Sequence, residues 1–206
     1  PETILEIGCG PGMATMTLAE ATKARITATD TAEVALDKLR SRIAARGLDD
    51  RIEVQNVDMA ALPAPERPWD VIWSEGSAYI LGVEKALADW RALLRPGGVL
   101  VFSDMVWRTD NPDDEIREFW ATEYPAMTTP ATRVAQARRA GYRVLGHFDM
   151  GREAMDSYYR PLAARLDALQ LDLAGTRVLD DLRREIGVLK AGRAQFGYEM
   201  FVLERG

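Results

Sequence analysis

The sequence predicts an α/β fold, a doubly wound arrangement in which a parallel sheet is covered by helices, and three observations carry that expectation. Short apolar runs alternate with helical or loop patterns through five strands in the first half of the chain. A glycine-rich turn follows the first run directly, and single carboxylates end the second and third runs. Ile4-Leu5-Glu6-Ile7 is the first strand and Met13 to Thr22 the first helix. Ile26 to Thr29 is the second strand, after which Thr31 is expected to cap a helix that runs to Arg46 and stops at Gly47. Ile52 to Val57 is the third strand, and Pro63, Pro65 and Pro68 mark a loop before the fourth, Val71 to Trp73. A helix over Val83 to Leu94 leads through the turn Arg95-Pro96-Gly97-Gly98 into the fifth strand, Val99 to Phe102.

Beyond that point the pattern changes. Asn111-Pro112-Asp113-Asp114 caps a helix through Tyr124, and Thr129-Pro130 opens another that ends at Gly141. Tyr142 to Phe148 is the sixth strand and Phe196 to Glu204 the seventh, with apolar side chains on both faces of the latter. Between them, Met155, Tyr159, Leu162, Leu166 and Leu169 form one stripe at helical spacing, and Leu179, Leu182, Ile186 and Leu189 another. The expectation is one domain over 1–206 with a helical hairpin inserted at 151–195, turning near Gly175 and serving as a lid.

Composition narrows the function. The chain has 206 residues, 47% hydrophobic and 28% charged, enough to bury roughly 70% of the surface its unfolded chain exposes. A net charge of −6 lacks the clustered cations that a polyphosphate backbone requires, so no nucleic-acid partner is expected. Cys9 is the only cysteine, which excludes an intrachain disulfide and a cysteine zinc site, and no metal is expected. No apolar run is long enough to span a membrane and no signal peptide is evident, so the expectation is a soluble, cytoplasmic protein. The chain begins at Pro1 and enters its first strand within two residues, so native residues upstream are expected to be absent.

"ILEIGCGPGMA" places Gly8, Gly10 and Gly12 between a strand and a helix, where glycines permit a tight turn and close approach to a ligand. A dinucleotide fingerprint would need its third glycine at Met13, which argues against a nicotinamide oxidoreductase. Asp30, ending the second strand, is suited to accept hydrogen bonds from both hydroxyls of a ribose. Asp58 could reach an exocyclic adenine amine and Met59 an adenine face, although a helix cap and a core residue are the plain readings of the two.

In "LEIGCGPG", "TATDTA", "NVDMAALP", "LLRPGGVLVFSD" and "FGYEMFVLER" the chain resembles the class I S-adenosylmethionine-dependent methyltransferases, over nearly its whole length. The resemblance implies a Rossmann-like, seven-stranded, mostly parallel sheet with an antiparallel last strand and S-adenosylmethionine as cofactor. It also implies that Glu6 and the loop Gly8, Cys9, Gly10, Gly12 lie near the methionine moiety, Asp30 with Thr31 at the ribose, Asp58 and Met59 at the adenine, and Ser74 with Glu75 beside the sulfonium. "IWSEGSAYILG" and "EFWATEYPAM" resemble a bacterial subgroup acting on small molecules. The chain departs from the family in lacking the upstream helices that usually cover the site.

On the acceptor side, Glu75 ends the fourth strand, where a carboxylate can take the acceptor's proton or hold an amine; capping the next helix or binding the donor are the alternatives. His147, the only histidine, is a second candidate base, against a purely structural role. Tyr79, Trp107, Trp120, Tyr124, Tyr158 and Tyr159 together suggest an aromatic acceptor pocket, although each alone reads as core. An Asn/Asp-Pro-Pro-aromatic run, needed for methylation of exocyclic base amines, is replaced by Ser74-Glu75-Gly76-Ser77. The leading expectation is methyl transfer to O or N of a small molecule; the alternative is a donor-binding module without turnover. The oligomeric state is not legible.

Overall fold

The computed structural model describes residues 1–169, 177–192 and 194–206. In chain order the elements are β1 (Thr3–Ile7), α1 (Met13–Ala21), β2 (Arg25–Asp30), α2 (Glu33–Arg46), β3 (Ile52–Asn56), β4 (Trp69–Ser74), α3 (Ala78–Leu81), α4 (Val83–Leu93) and β5 (Leu94–Trp107). There follow α5 (Asp114–Glu123), α6 (Pro130–Arg139), β6 (Tyr142–Asp149), α7 (Gly151–Leu169), α8 (Arg177–Ala191) and β7 (Phe196–Arg205). The sheet has seven strands in the order β3-β2-β1-β4-β5-β7-β6. β1 pairs in parallel with β2 and β4, β2 with β3, and β4 with β5, while β7 is antiparallel. The expected fold class therefore holds, including the reversed last strand.

The chain divides into two compact units: Pro1–Asp104 with Arg133–His147 and Met200–Gly206, and Met105–Thr132 with Phe148–Glu199. The second unit thus takes in 105–132 besides the expected hairpin, of which both helices are present. The hairpin turn near Gly175 lies outside the described residues.

In the first unit, Ile4, Ile26, Leu36, Leu39 and Ile43 are buried in one cluster with Cys9 and Met16, which fixes α1 and α2 on one face of the sheet. Each such fully buried side chain stabilises the fold by about 1.5–3 kcal/mol. Arg95 to Gly98 is not a free turn before β5. Trp69 pairs with Leu94 and Val71 with Val99, so β5 bulges within the ladder. Gly98 has no room for a Cβ, which would sit 2.9 Å from the Arg95 carbonyl and 3.0 Å from that of Trp69. Asp70, opposite the bulge, accepts from Arg95 Nε at 2.5 Å and from the Glu2 and Thr3 amides at 2.7 and 3.0 Å. These contacts, Arg95 foremost, hold its carboxyl down to about 2.

In the second unit, Phe119, Trp120, Tyr124, Met127, Val188, Leu189 and Phe196 form a core against which Trp107, Met155, Tyr159 and Tyr198 pack. Trp120 and Phe196 meet edge to face, with centroids 5.1 Å apart, an arrangement worth about 0.5–1.5 kcal/mol beyond burial. Among the described residues, no helix is long and apolar enough to cross a membrane and no acidic, histidine or cysteine group could hold a metal.

Candidate active site

Side chains alternate across a strand, and residues in register on parallel strands share a face. Glu6 is in register with Ala28 and with Trp73. Two residues further along, Asp30 and Glu75 therefore share the face of Glu6, the one covered by α1. The structure thus brings three carboxyl groups to one edge from three strands that lie far apart in sequence.

The three glycines of the loop have different reasons to be glycine. All have positive φ, 74° at Gly8, 51° at Gly10 and 84° at Gly12. A Cβ on Gly8 would meet Ser77 Oγ at 2.4 Å, and one on Gly12 would meet Leu39 Cδ1 at 2.3 Å, so at both places the protein itself fills the space. Gly10 has nothing within 4 Å and is the one open to a ligand. The Gly8 and Cys9 amides both donate to the Thr29 carbonyl, at 2.9 and 3.0 Å. Cys9 belongs to the buried core; burial first, then Glu6 and Asp30, push its thiol up to about 12. Its side chain packs inward.

Asp30 Oδ2 accepts from the Gly10 amide at 2.8 Å and Oδ1 from the Ala32 amide at 2.9 Å. Each oxygen keeps a further lone pair, so the carboxylate is oriented without being saturated. The helix cap expected at Thr31 falls at Ala32 instead, because Asp30 takes the Ala32 amide. Asp58 Oδ1 accepts from the Ala60 amide at 2.8 Å, closing a local turn, and Asp58 is exposed beside a half-buried Met59. The Val57 amide bonds the Asp30 carbonyl at 3.1 Å and ties the ends of β2 and β3 together.

Glu6 is buried, 2% exposed, and its Oε2 has no hydrogen-bond partner among the described residues. Burial pushes its carboxyl up to about 7, and the charges of Glu75 and Asp30 add to the shift. Thr15 on α1 opposes it, but the Thr15 hydroxyl closes no hydrogen bond of good geometry. A buried carboxyl group with one oxygen left without a partner is costly.

At the end of β4, Glu75 is exposed and its Oε1 accepts from Trp73 Nε1 at 2.8 Å. Ser74 was expected beside the donor. The structure buries it completely, at 0% exposure, with its hydroxyl 2.7 Å from that of Ser77, so the Ser74 side chain braces the end of β4. Ser77 donates to the Ile7 carbonyl at 2.9 Å, and Gly76 donates its amide to Ser103 Oγ at 2.9 Å. Sequence reasoning assigned no role to Ser77 or Ser103; the clustering of hydroxyls in "SEGS" was the only signal.

The acceptor-side expectations fare differently. Tyr79 is exposed on α3, a short helix the sequence did not reveal. Trp120 and Tyr124 are core residues, 7% and 8% exposed, although the Trp120 indole nitrogen has no partner among the described residues. Trp107 and Tyr159 pack on the same core, and Tyr159 donates to Glu185 at 3.0 Å. The Tyr158 side chain lies outside the described residues. His147 is exposed on the edge strand β6 and stacks on Phe201, centroids 5.8 Å apart. Three interstrand spacings, roughly 14 Å, separate β6 from β4, so His147 and Glu75 are not brought together.

A family described as "Methyltransferase domain" matches residues 4–98. The methyltransferase GfsG of Streptomyces halstedii is 30% identical over 71% of this chain and 61% of its own length. The O-methyltransferase cnsE of Penicillium expansum is 27% identical over 99% of this chain and 72% of its own length. The crystal structure of a SAM-dependent methyltransferase from Geobacter sulfurreducens in complex with S-adenosyl-L-homocysteine superposes with a TM-score of 0.84. It is 20% identical, over 100% of this chain and 85% of that one. The chain spans 53% and 61% of the length of the first curated relatives it matches.

Proposed function

We propose a reaction from the premise that the chain belongs to the class I S-adenosylmethionine-dependent methyltransferase family: it transfers a methyl group from S-adenosylmethionine to an oxygen or nitrogen of a small molecule. The observation that carries the donor reading is Glu6, buried and unpartnered at Oε2, on one sheet face with Asp30 and Glu75. Three carboxyl groups gathered in this way suit a ligand with positive charge, and S-adenosylmethionine has both a sulfonium and an ammonium. Open space at Gly10 and the oriented, unsaturated carboxylate of Asp30 suit a ribose held against the loop. When bound, the donor supplies an electrophilic methyl group.

In this reading Glu6 meets the ammonium end, Asp30 the ribose hydroxyls, and Asp58 with Met59 the adenine. Glu75 holds the acceptor or takes its proton, with its carboxylate oriented by the Trp73 indole. Likeness to an O-methyltransferase over 99% of the chain and to a glycine/sarcosine/dimethylglycine N-methyltransferase over 85% of it supports an oxygen or nitrogen acceptor. A net charge of −6 suits a small acceptor and not a nucleic acid.

Calorimetric titration with S-adenosylmethionine and S-adenosylhomocysteine tests the donor reading, and methyl-labelled donor with a metabolite extract tests transfer. Both ligands are expected to bind, and Asp30→Ala to weaken both by about 2–3 kcal/mol. Unchanged affinity would remove Asp30 from the site. Binding without any transferred label would leave a donor-binding module without turnover.

A further inference from the structure

We propose that Ser77, seated against the glycine loop, is a positioning residue that holds Glu75 in place at the end of β4, and so sets how strongly the site prefers a cationic ligand to a neutral one. The proposal rests on the donor reading above. Ser77 is 5% exposed, and its hydroxyl joins the end of β4, through Ser74 Oγ at 2.7 Å, to the last carbonyl of β1, Ile7, at 2.9 Å. Gly8 gives up a side chain at this contact, since its Cβ would fall 2.4 Å from Ser77 Oγ. Loop and strand end are therefore interlocked by shape as well as by hydrogen bonds.

Glu75 lies inside this brace. Ser74 before it and Ser77 after it share one hydroxyl pair, and the Gly76 amide is fixed by Ser103 Oγ at 2.9 Å. Gly76 has φ 60°, a conformation that glycine adopts freely and that turns the chain sharply after Glu75. The side chain is held separately, by the Trp73 indole at 2.8 Å. Backbone and carboxylate are thus both fixed, and the backbone depends on three buried hydroxyls that contribute no charge of their own.

The charge of Glu75 matters differently to the two forms of the donor. S-adenosylmethionine is a sulfonium cation, whereas S-adenosylhomocysteine is a neutral thioether of otherwise equal shape. The ratio of their dissociation constants therefore reads the field at the reacting sulfur and needs no acceptor. A residue that only stabilises the fold would weaken both ligands together and leave the ratio alone.

The test is calorimetric titration of both ligands into the parent chain, Ser77→Ala, Glu75→Gln and the double variant. Removing the charge in Glu75→Gln is expected to lower the preference for the cation about tenfold. Ser77→Ala, which removes both hydrogen bonds of that hydroxyl, is expected to lower it about fivefold, and the double variant no further than Glu75→Gln alone. Ser103→Ala, which frees the Gly76 amide instead, is expected to move the ratio in the same direction and serves if Ser77→Ala does not fold. If both ligands bind but the ratio is unchanged in Ser77→Ala or Ser103→Ala, or if the losses simply add, the positioning role is overturned and the donor reading stands. Failure of either ligand to bind the parent chain would overturn both.

Discussion

The first unit keeps polar groups open at the ends of β1, β2 and β4, whereas the second unit uses its aromatic residues on its own interior. At the strand ends Gly10 has empty space beside it, Asp30 holds lone pairs in reserve, and Glu6 carries an unpaired oxygen. In the second unit Trp120, Tyr124 and Phe196 are buried in mutual contact. Both regions hold conspicuous side chains and buried polar atoms without a partner among the described residues, Glu6 Oε2 in the first and Trp120 Nε1 in the second. Only in the first does such an atom belong to a carboxyl group close to two further carboxylates, where burial is most expensive. A buried carboxyl group with an unpartnered oxygen is a better guide to a site than aromatic content, because a charge is far costlier to bury without a partner than an indole N–H.

The largest effect expected from breaking this contrast is in the aromatic cluster. Trp120→Ala is predicted to cost about 3–5 kcal/mol of unfolding free energy, while affinity for S-adenosylhomocysteine changes less than threefold. Denaturant unfolding and calorimetry on the same samples would decide. A collapse of affinity in a still-folded variant would make Trp120 part of the site after all, with its unpartnered indole nitrogen as the reason.

Glu6 offers a test of nearly the same size at the other region. Its carboxyl goes from an ordinary value of 4.5 to about 7 on folding, so between these values the native state binds more protons than the unfolded one. Stability must then fall as pH rises through that window. Above it, the ionised and unpaired group costs the fold about 3 kcal/mol. Glu6→Gln removes the titration, and its stability relative to the parent is expected to rise by up to about that amount between pH 5 and 8. A difference that stayed flat with pH would mean Glu6 is already satisfied, and the contrast between the regions would lose its main support.

The smallest effect sharpens the boundary between open and packed within the loop itself. Cys9 sits between two site glycines yet belongs to the core, with its thiol held near 12. At pH 8 a thiol reagent is expected to modify it on the order of 10³-fold more slowly in the native than in the unfolded chain. Rapid labelling of folded protein would place the side chain on the ligand side.

Much of this was legible in the sequence, because it depends on local chemistry. The glycine turn after β1, the carboxylates ending β2 and β3, the Gly47 stop and the strand–helix alternation follow from backbone preference and side-chain periodicity, which neighbours in sequence determine. Comparison with other chains supplied the reversed β7. Three matters were decided only by tertiary structure. Gly8 and Gly12 are glycine because Ser77 and Leu39 arrive from 69 and 27 positions away. Ser74 is a brace because strand pairing buries it against Ser77. Trp120 and Tyr124 became core because α8 and the start of β7 pack on them. The physical reason is common to all three: a sequence specifies what each side chain can do, but which partner satisfies it depends on the register and packing of segments that meet only in the folded chain.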